Sequence, residues 1–200
     1  MNESHPSPWK ARLTLLALVL LFGVPPLLAW FLLVSGWHPS ATVNNGDLIR
    51  PPEELDVAGW DGGVTAQDFR GRWTILQVAD GACREVCAEA LDQTARARVS
   101  LDKDAHRVQR MLLQPESAPA VADRTAKGAR TLRAPLASVR SLLRDGEDGA
   151  VYLIDPQGLR MMHYSMPLNA MGMVDDLERL LRASNEDIER MRRTHADDAS

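Results

Sequence analysis

Cys83 and Cys87 are the only two cysteines in the 200-residue sequence, and they stand four residues apart. The thiolate is the nucleophile of disulfide exchange and the ligand of soft metals. The pair follows an apolar run, WTILQVAD at 73–80, and a turn at Gly81–Ala82, and it opens the helical pattern CREVCAEALDQTARARVSL. A helix N-terminus carries partial positive charge and unpaired N–H groups, which stabilise a thiolate and lower its pKa. The carboxyl end of a strand is also where open α/β folds place their ligands. Spacing i, i+4 puts both sulfurs on one helical face with Cα atoms roughly 6 Å apart, within disulfide range. The same spacing lets two thiolates share one soft ion, and Cu(I) is the usual candidate. A zinc site needs about four ligands, and two more are not evident. The residues thus leave three readings open: a redox pair, a two-thiolate metal site, or small buried residues stapled together.

Other candidate groups are fewer. Asp80 ends the strand three residues before Cys83, where a carboxylate accepts a thiol proton or orders the loop. Asp145, Glu147 and Asp148 form an acidic turn. Arg124, Lys127, Arg130 and Arg133 fall in a stretch that reads as a solvated face. There is no phosphate-binding glycine loop, nucleophile elbow or H-E-x-x-H zinc motif. Net charge is −4, and residues 1–35 contribute +1, so the rest is acidic. That balance argues against a nucleic-acid partner.

The elements that must hold the pair follow from pattern. Residues 73–80 read as a buried strand and 83–101 as a helix. HRVQRMLLQ at 106–114 reads as a second strand, and 115–135 as a loop with at most a short helix. LASVRSLLR at 136–144 is helical, DGEDG is a turn, and AVYLIDPQGLRMMHYS at 150–165 is a hairpin about a D-P-Q-G turn. The last segment begins as an amphipathic helix with Val174, Leu177, Leu180 and Leu181 on one face, while Asp175 and Asp176 complement its dipole. Its polar final dozen residues are expected to fray. Strand, helix, strand, helix, hairpin, helix is the thioredoxin order. It predicts an α/β protein with a central sheet flanked by helices.

Leu13 to Gly36 contains no charged residue and is long enough to span a bilayer about 30 Å thick with some tilt. Gly23, Pro25 and Pro26 interrupt it, and Trp30 and Trp37 mark its far end. SGWHPSATV is a poor cleavage site, so an uncleaved anchor is favoured over a signal peptide. Lys10 and Arg12 precede the span and its other flank has no Lys or Arg through Ile49, which places the N-terminus in the cytoplasm. The expected organisation is a cytoplasmic end at 1–12, a transmembrane helix at 13–36, a linker at 37–56, a thioredoxin-like domain at 57–184 and a polar extension at 185–200. In a bacterium the domain then lies in the periplasm, where a cysteine pair can be oxidised.

The segments GRWTILQVADGACREVCAEAL, HRVQRMLL and AVYLIDPQGLRMMHY, followed by DDLERLLRAS, resemble the Sco/SenC class of thioredoxin-fold proteins. They are closest to the small membrane-anchored type encoded with bacterial cytochrome c oxidase genes. G-x-C-x-x-x-C after a strand and Y-L-I-D-P-x-G in a hairpin carry the similarity, over roughly residues 44–184. The resemblance implies copper bound by Cys83, Cys87 and a distant histidine. It also implies work on the copper site of oxidase subunit II, as metal donor or thiol reductant. The histidine's place falls in LLRDGEDGAVYLID, which has none, and residues 136–155 also lack the proline that thioredoxins carry in cis near that point. His163 is the substitute candidate, beside Met161, Met162 and Met166, with Met171 and Met173 beyond. On a strand, Met161 and His163 share one face and Met162 the other.

The expectation is an anchored accessory factor for cytochrome c oxidase assembly in the bacterial inner membrane. It would act through Cys83 and Cys87 by thiol redox or Cu(I) handling, with copper as its possible cofactor. Subunit II or other oxidase assembly factors would be its partners. The alternatives are a non-catalytic interaction module with a structural or redox-switch disulfide, and a general periplasmic thiol–disulfide oxidoreductase. Whether the chain is an enzyme stays open.

Overall fold

A computed structural model describes residues 8–34, 44–143 and 148–198. The chain divides into two units, Met1–Val43 and Asn44–Ser200. The first contains helix α1 (Pro8–Val34), which continues through Pro25 and Pro26. Within it Arg12–Leu32 is long and apolar enough to cross a membrane, and none of that stretch is buried against protein.

The second unit is built on one six-stranded sheet. Its strands are β1 (Asp47–Glu54), β2 (Trp73–Val78), β3 (Val108–Pro115), β4 (Arg130–Ala134), β5 (Val151–Ile154) and β6 (Leu159–Tyr164), in the spatial order β1-β6-β5-β2-β3-β4. β2, β3 and β4 run parallel, while β5, β6 and β1 add antiparallel pairings. Central β2 is buried along its whole length, which is why it reads as a continuous apolar run. Helix α2 (Glu85–Ser100) crosses from β2 to β3. A one-turn α3 (Asp123–Ala126) precedes β4, α4 (Leu136–Leu142) leads to β5, and α5 (Ala170–Asp198) follows β6.

Alternation along the strands divides the core. Ile75, Val151, Leu153, Met162 and Tyr164 meet Ala90 and Ala97 of α2 and Met173, Leu177 and Leu181 of α5 on one face. Leu76, Val78, Tyr152 and Ile154 meet Val139 and Leu142 of α4, with Trp60 and Phe69, on the other. In the hairpin turn Asp155 Oδ1 accepts from the backbone N–H groups of Gln157 and Leu159, both at 2.9 Å, and Gly158 takes φ +94°. Only glycine takes that angle without strain.

The two edge strands depart from the sequence expectation. Residues 37–56 read as a linker, yet Asp47–Glu54 pairs with β6, with an irregularity between Leu48 and Glu53 that accommodates Pro51 and Pro52. Proline is tolerated on an edge because its missing N–H faces away from the ladder. Residues 115–135 read as a loop, yet Arg130–Ala134 forms β4, of which Leu132 and Ala134 are buried. The tail expected to fray is helical in backbone to Asp198. Asp145 and Glu147 of the acidic turn, and the linker residues 37–43, lie outside the described residues.

The start of the domain is tied to α5 by Asp176, a residue that sequence reasoning treated only as a dipole partner. Its carboxylate, 1% exposed, accepts from the backbone N–H groups of Asn45 at 2.9 Å and Gly46 at 3.0 Å, and from the Tyr164 hydroxyl at 3.0 Å. Burial, reinforced by the neighbouring Asp176 charge, pushes the Tyr164 phenol well above its ordinary range. Gly46 passes so near the Tyr164 ring that a Cβ would come within 2.7 Å of it.

Candidate functional site

Cys83 and Cys87 form a disulfide with Cα atoms 5.1 Å apart. They do not share a helical face. Arg84, extended at ψ −167°, flanks the start of α2, so Cys83 belongs to the turn before the helix and Cys87 is its third residue. The first intrahelical bond runs from Ala88 N–H to Arg84 O. The three earlier amide groups therefore lend their partial positive charge to the end of the helix that carries Cys87. The two sulfurs are unequal in access. Cys83 is half-buried, whereas Cys87 is 1% exposed and packs with Ala79, Leu91 and Leu112.

Gln77 faces the same sulfur from inside the sheet. Its Nε2 donates to Cys87 O at 2.8 Å and approaches Cys87 Sγ at 3.3 Å. A buried amide N–H aimed at a sulfur is worth little to a disulfide and more to a thiolate, because a charged acceptor roughly doubles hydrogen-bond strength. Sequence reasoning passed over Gln77. Its only signal was a long polar side chain inside a mostly apolar strand, and a buried polar group requires a partner.

The turn around the pair is held by charge. Asp80 accepts a hydrogen bond from Arg140 at 3.2 Å, and its own N–H donates to Asp148 at 2.9 Å. Asp80 therefore secures the loop. Gly149, at φ +88°, sends its N–H to Val78 O, and its α-carbon sits where an added Cβ would meet Cys87 Cα at 3.8 Å and Met166 at 3.7 Å. Beside the pair, Val86, Ala90, Met166, Pro167 and Leu168 line a shallow hollow of about 300 Å³ with Glu89 and Gln93 at its rim. The Met166–Pro167 peptide bond there is cis, so a cis-proline lines this hollow from the segment after β6.

His163 does not join the cysteines. Strand register pairs Gln77 with Val151 and Val151 with Tyr164, and this row faces α2. His163 pairs with Tyr152 in the next row, which faces α4, and its ring stacks at 5.1 Å from the Tyr152 ring. The sheet therefore separates His163 from the pair. Among the described residues no group of three or more His, Cys, Asp or Glu side chains is placed to hold a metal. The methionines scatter in the same way. Met162 and Met173 fill the α2/α5 core at 2% and 0% exposure, while Met171 is 82% exposed.

The fold has known relatives. A profile of the family described as transmembrane-like, thioredoxin-like, C-terminal domain matches residues 73–184. Among curated proteins, none matches. The fold is similar to apo Sco1 from Thermus thermophilus, with 24% identity over 70% of this chain and 99% of that one, at a TM-score of 0.53. ScoI from Arabidopsis thaliana, solved with copper bound, aligns at 17% identity over 66% of this chain and 97% of that one, at a TM-score of 0.48. By the match over residues 73–184, the chain belongs to the transmembrane-like, thioredoxin-like C-terminal domain family, and it has a Sco-like thioredoxin fold.

Proposed function

We propose that this protein is a membrane-anchored thiol–disulfide factor that serves cytochrome c oxidase assembly, with its redox domain in the periplasm. The observation that carries the thiol chemistry is the asymmetry of the pair. Cys83 can be approached from solvent, while Cys87 is buried at a helix N-terminus with the Gln77 amide 3.3 Å from its sulfur. The oxidase connection rests on the resemblance of the cysteine and hairpin motifs to Sco/SenC proteins.

The exchange follows from that asymmetry. A client thiolate attacks Cys83 Sγ, the Cys83–Cys87 bond breaks, and the electron pair leaves on Cys87 as a thiolate. A stabilised leaving thiolate speeds this step, and the helix end and the Gln77 amide face the sulfur that leaves. A second client thiolate then attacks the client sulfur of the mixed disulfide and releases Cys83. The client gains a disulfide, and this chain gains two electrons and two protons as a dithiol. Run in reverse, the dithiol form reduces a client disulfide.

Copper comes with the resemblance, which implies a site of two cysteines and a histidine. The residues present do not fit it. Reduction would free two thiolates, His163 lies across the sheet, and among the described residues no other cluster of His, Cys, Asp or Glu supplies a third ligand. We therefore route no step through copper.

The test is to trap the intermediate. Cys87→Ala removes the resolving sulfur and should accumulate a mixed disulfide at Cys83 with a client such as oxidase subunit II. Cys83→Ala should accumulate far less. If the wild-type pair stays oxidised across glutathione potentials and neither variant forms an adduct, the pair is a staple and the proposal fails. Tight one-to-one Cu(I) binding by the reduced protein, lost in the Cys83→Ala/Cys87→Ala variant, would favour metal handling instead.

A further inference from the structure

A second site stands apart from the cysteines, on the α2/β3/β4 side of the sheet. Arg110 of β3 is 7% exposed. Its Nε donates to Thr94 Oγ1 at 3.2 Å, and its two terminal nitrogens donate to Leu91 O and Lys127 O, each at 2.6 Å. All of these acceptors are neutral. A buried guanidinium held only by carbonyls and a hydroxyl keeps its charge uncompensated, which is costly. Burial, with Arg98 close by, lowers its pKa to about 10, against a smaller opposing pull from Asp92.

Arg110 forms part of the wall of a cavity of about 390 Å³ that Arg72, Arg98, Lys127 and Arg130 also line, and no carboxylate lines it. Two of these cations are already committed. Lys127 pairs with Asp92 at 3.2 Å and Arg130 with Asp68 at 2.6 Å. The Arg130 bond is the largest influence holding the Asp68 carboxyl down at about 2. Arg98 donates Nε to Val108 O at 2.7 Å and has no carboxylate partner, and Arg72 is exposed with no ionic partner among the described residues. Lys127 is one of two non-glycine residues at positive φ among the described residues, at +50°, and its carbonyl is one of those that hold Arg110. A left-handed lysine is strained, and such strain gathers where a site must be kept in shape.

Three arginines with no carboxylate partner among the described residues thus line one concavity in an otherwise acidic domain. Guanidinium forks match phosphate oxygens, and more than one negative charge is needed to balance three cations. We propose that this cavity binds a phosphate-bearing ligand, with Arg110 as the buried charge and Arg72 and Arg98 as the contacts at its mouth. Its volume leaves room for an organic group beside the phosphate. A free phosphate ester and the headgroup of an acidic phospholipid both have this chemistry.

The full chain in non-ionic detergent would be titrated calorimetrically with inorganic phosphate and with short-chain phosphatidic acid, using short-chain phosphatidylcholine as the control. Saturable binding of one probe per chain is expected, weakened as salt rises and at least tenfold weaker in Arg72→Glu/Arg98→Glu. These two residues avoid the structural role of Arg110, and unchanged circular dichroism would show that the fold is kept. Binding of inorganic phosphate assigns a soluble ester, and binding of phosphatidic acid alone assigns a headgroup. Failure of both probes to bind, equal binding of phosphatidylcholine, or undiminished binding by the double variant overturns the proposal.

Discussion

At the scale of single residues, Gln77 sets the chemistry of the pair. Its amide stabilises a Cys87 thiolate more than a disulfide sulfur, so it favours the dithiol and raises the reduction potential. Gln77→Leu should lower the potential by about 20 mV, equivalent to about 1 kcal/mol for a two-electron couple, and slow alkylation of the reduced Cys87 thiol near neutral pH. Equilibration with glutathione and a pH profile of alkylation read these separately, and unchanged values would make Gln77 only a packing residue. Gly149→Ala forces φ +88° on a residue with a Cβ. It should cost about 1 kcal/mol or more, seen as a lower urea midpoint and a disturbed exchange rate, since the turn touches Cys87. Tyr164 governs the alkaline limb. Its folded pKa lies above the unfolded value of 10.0, so its contribution is complete below about pH 10 and is lost as pH rises beyond it. Tyr164→Phe should flatten the fall in urea midpoint above pH 10.

At the scale of elements, Asp176 joins the first strand to the last helix. Asp176→Asn would turn an amide toward four donors, the Asn45 side-chain amide among them, and we expect a loss of about 3 kcal/mol, read from the urea midpoint with an unchanged slope. A stability loss within a few tenths of a kcal/mol would mean that water replaces the carboxylate. Legibility in the sequence divides along the same lines. β2, α2 and the β5–β6 hairpin announce themselves through a continuous apolar run, helical spacing and D-P-Q-G. β1 and β4 do not, because each buries few side chains and carries proline or arginine, as edges do. The helix start was read one to two residues early, which moved Cys83 from its turn onto the helix. Cys83 and Cys87 were legible from type and position. Gln77 was not, because a lone amide in a strand has no period. His163 was misplaced relative to the pair because which face it occupies depends on strand pairing absent from local spacing.

At the scale of the whole molecule, two units share one chain, a helix able to cross a membrane and a thioredoxin-like domain. Lys10 and Arg12 before the span argue for a cytoplasmic N-terminus. Protease added to spheroplasts should therefore remove a C-terminal epitope, whereas protection until lysis would reverse the orientation. A tether also confines its copies to a plane, where collisions between exposed sheet margins are frequent. Here one margin is interrupted at Pro51 and Pro52, and the other bears Arg130 and Arg133. Neither offers a clean row of backbone groups for a second sheet to extend. The features that hid these strands from pattern reading thus also guard the two open sides of the sheet against edge-to-edge pairing.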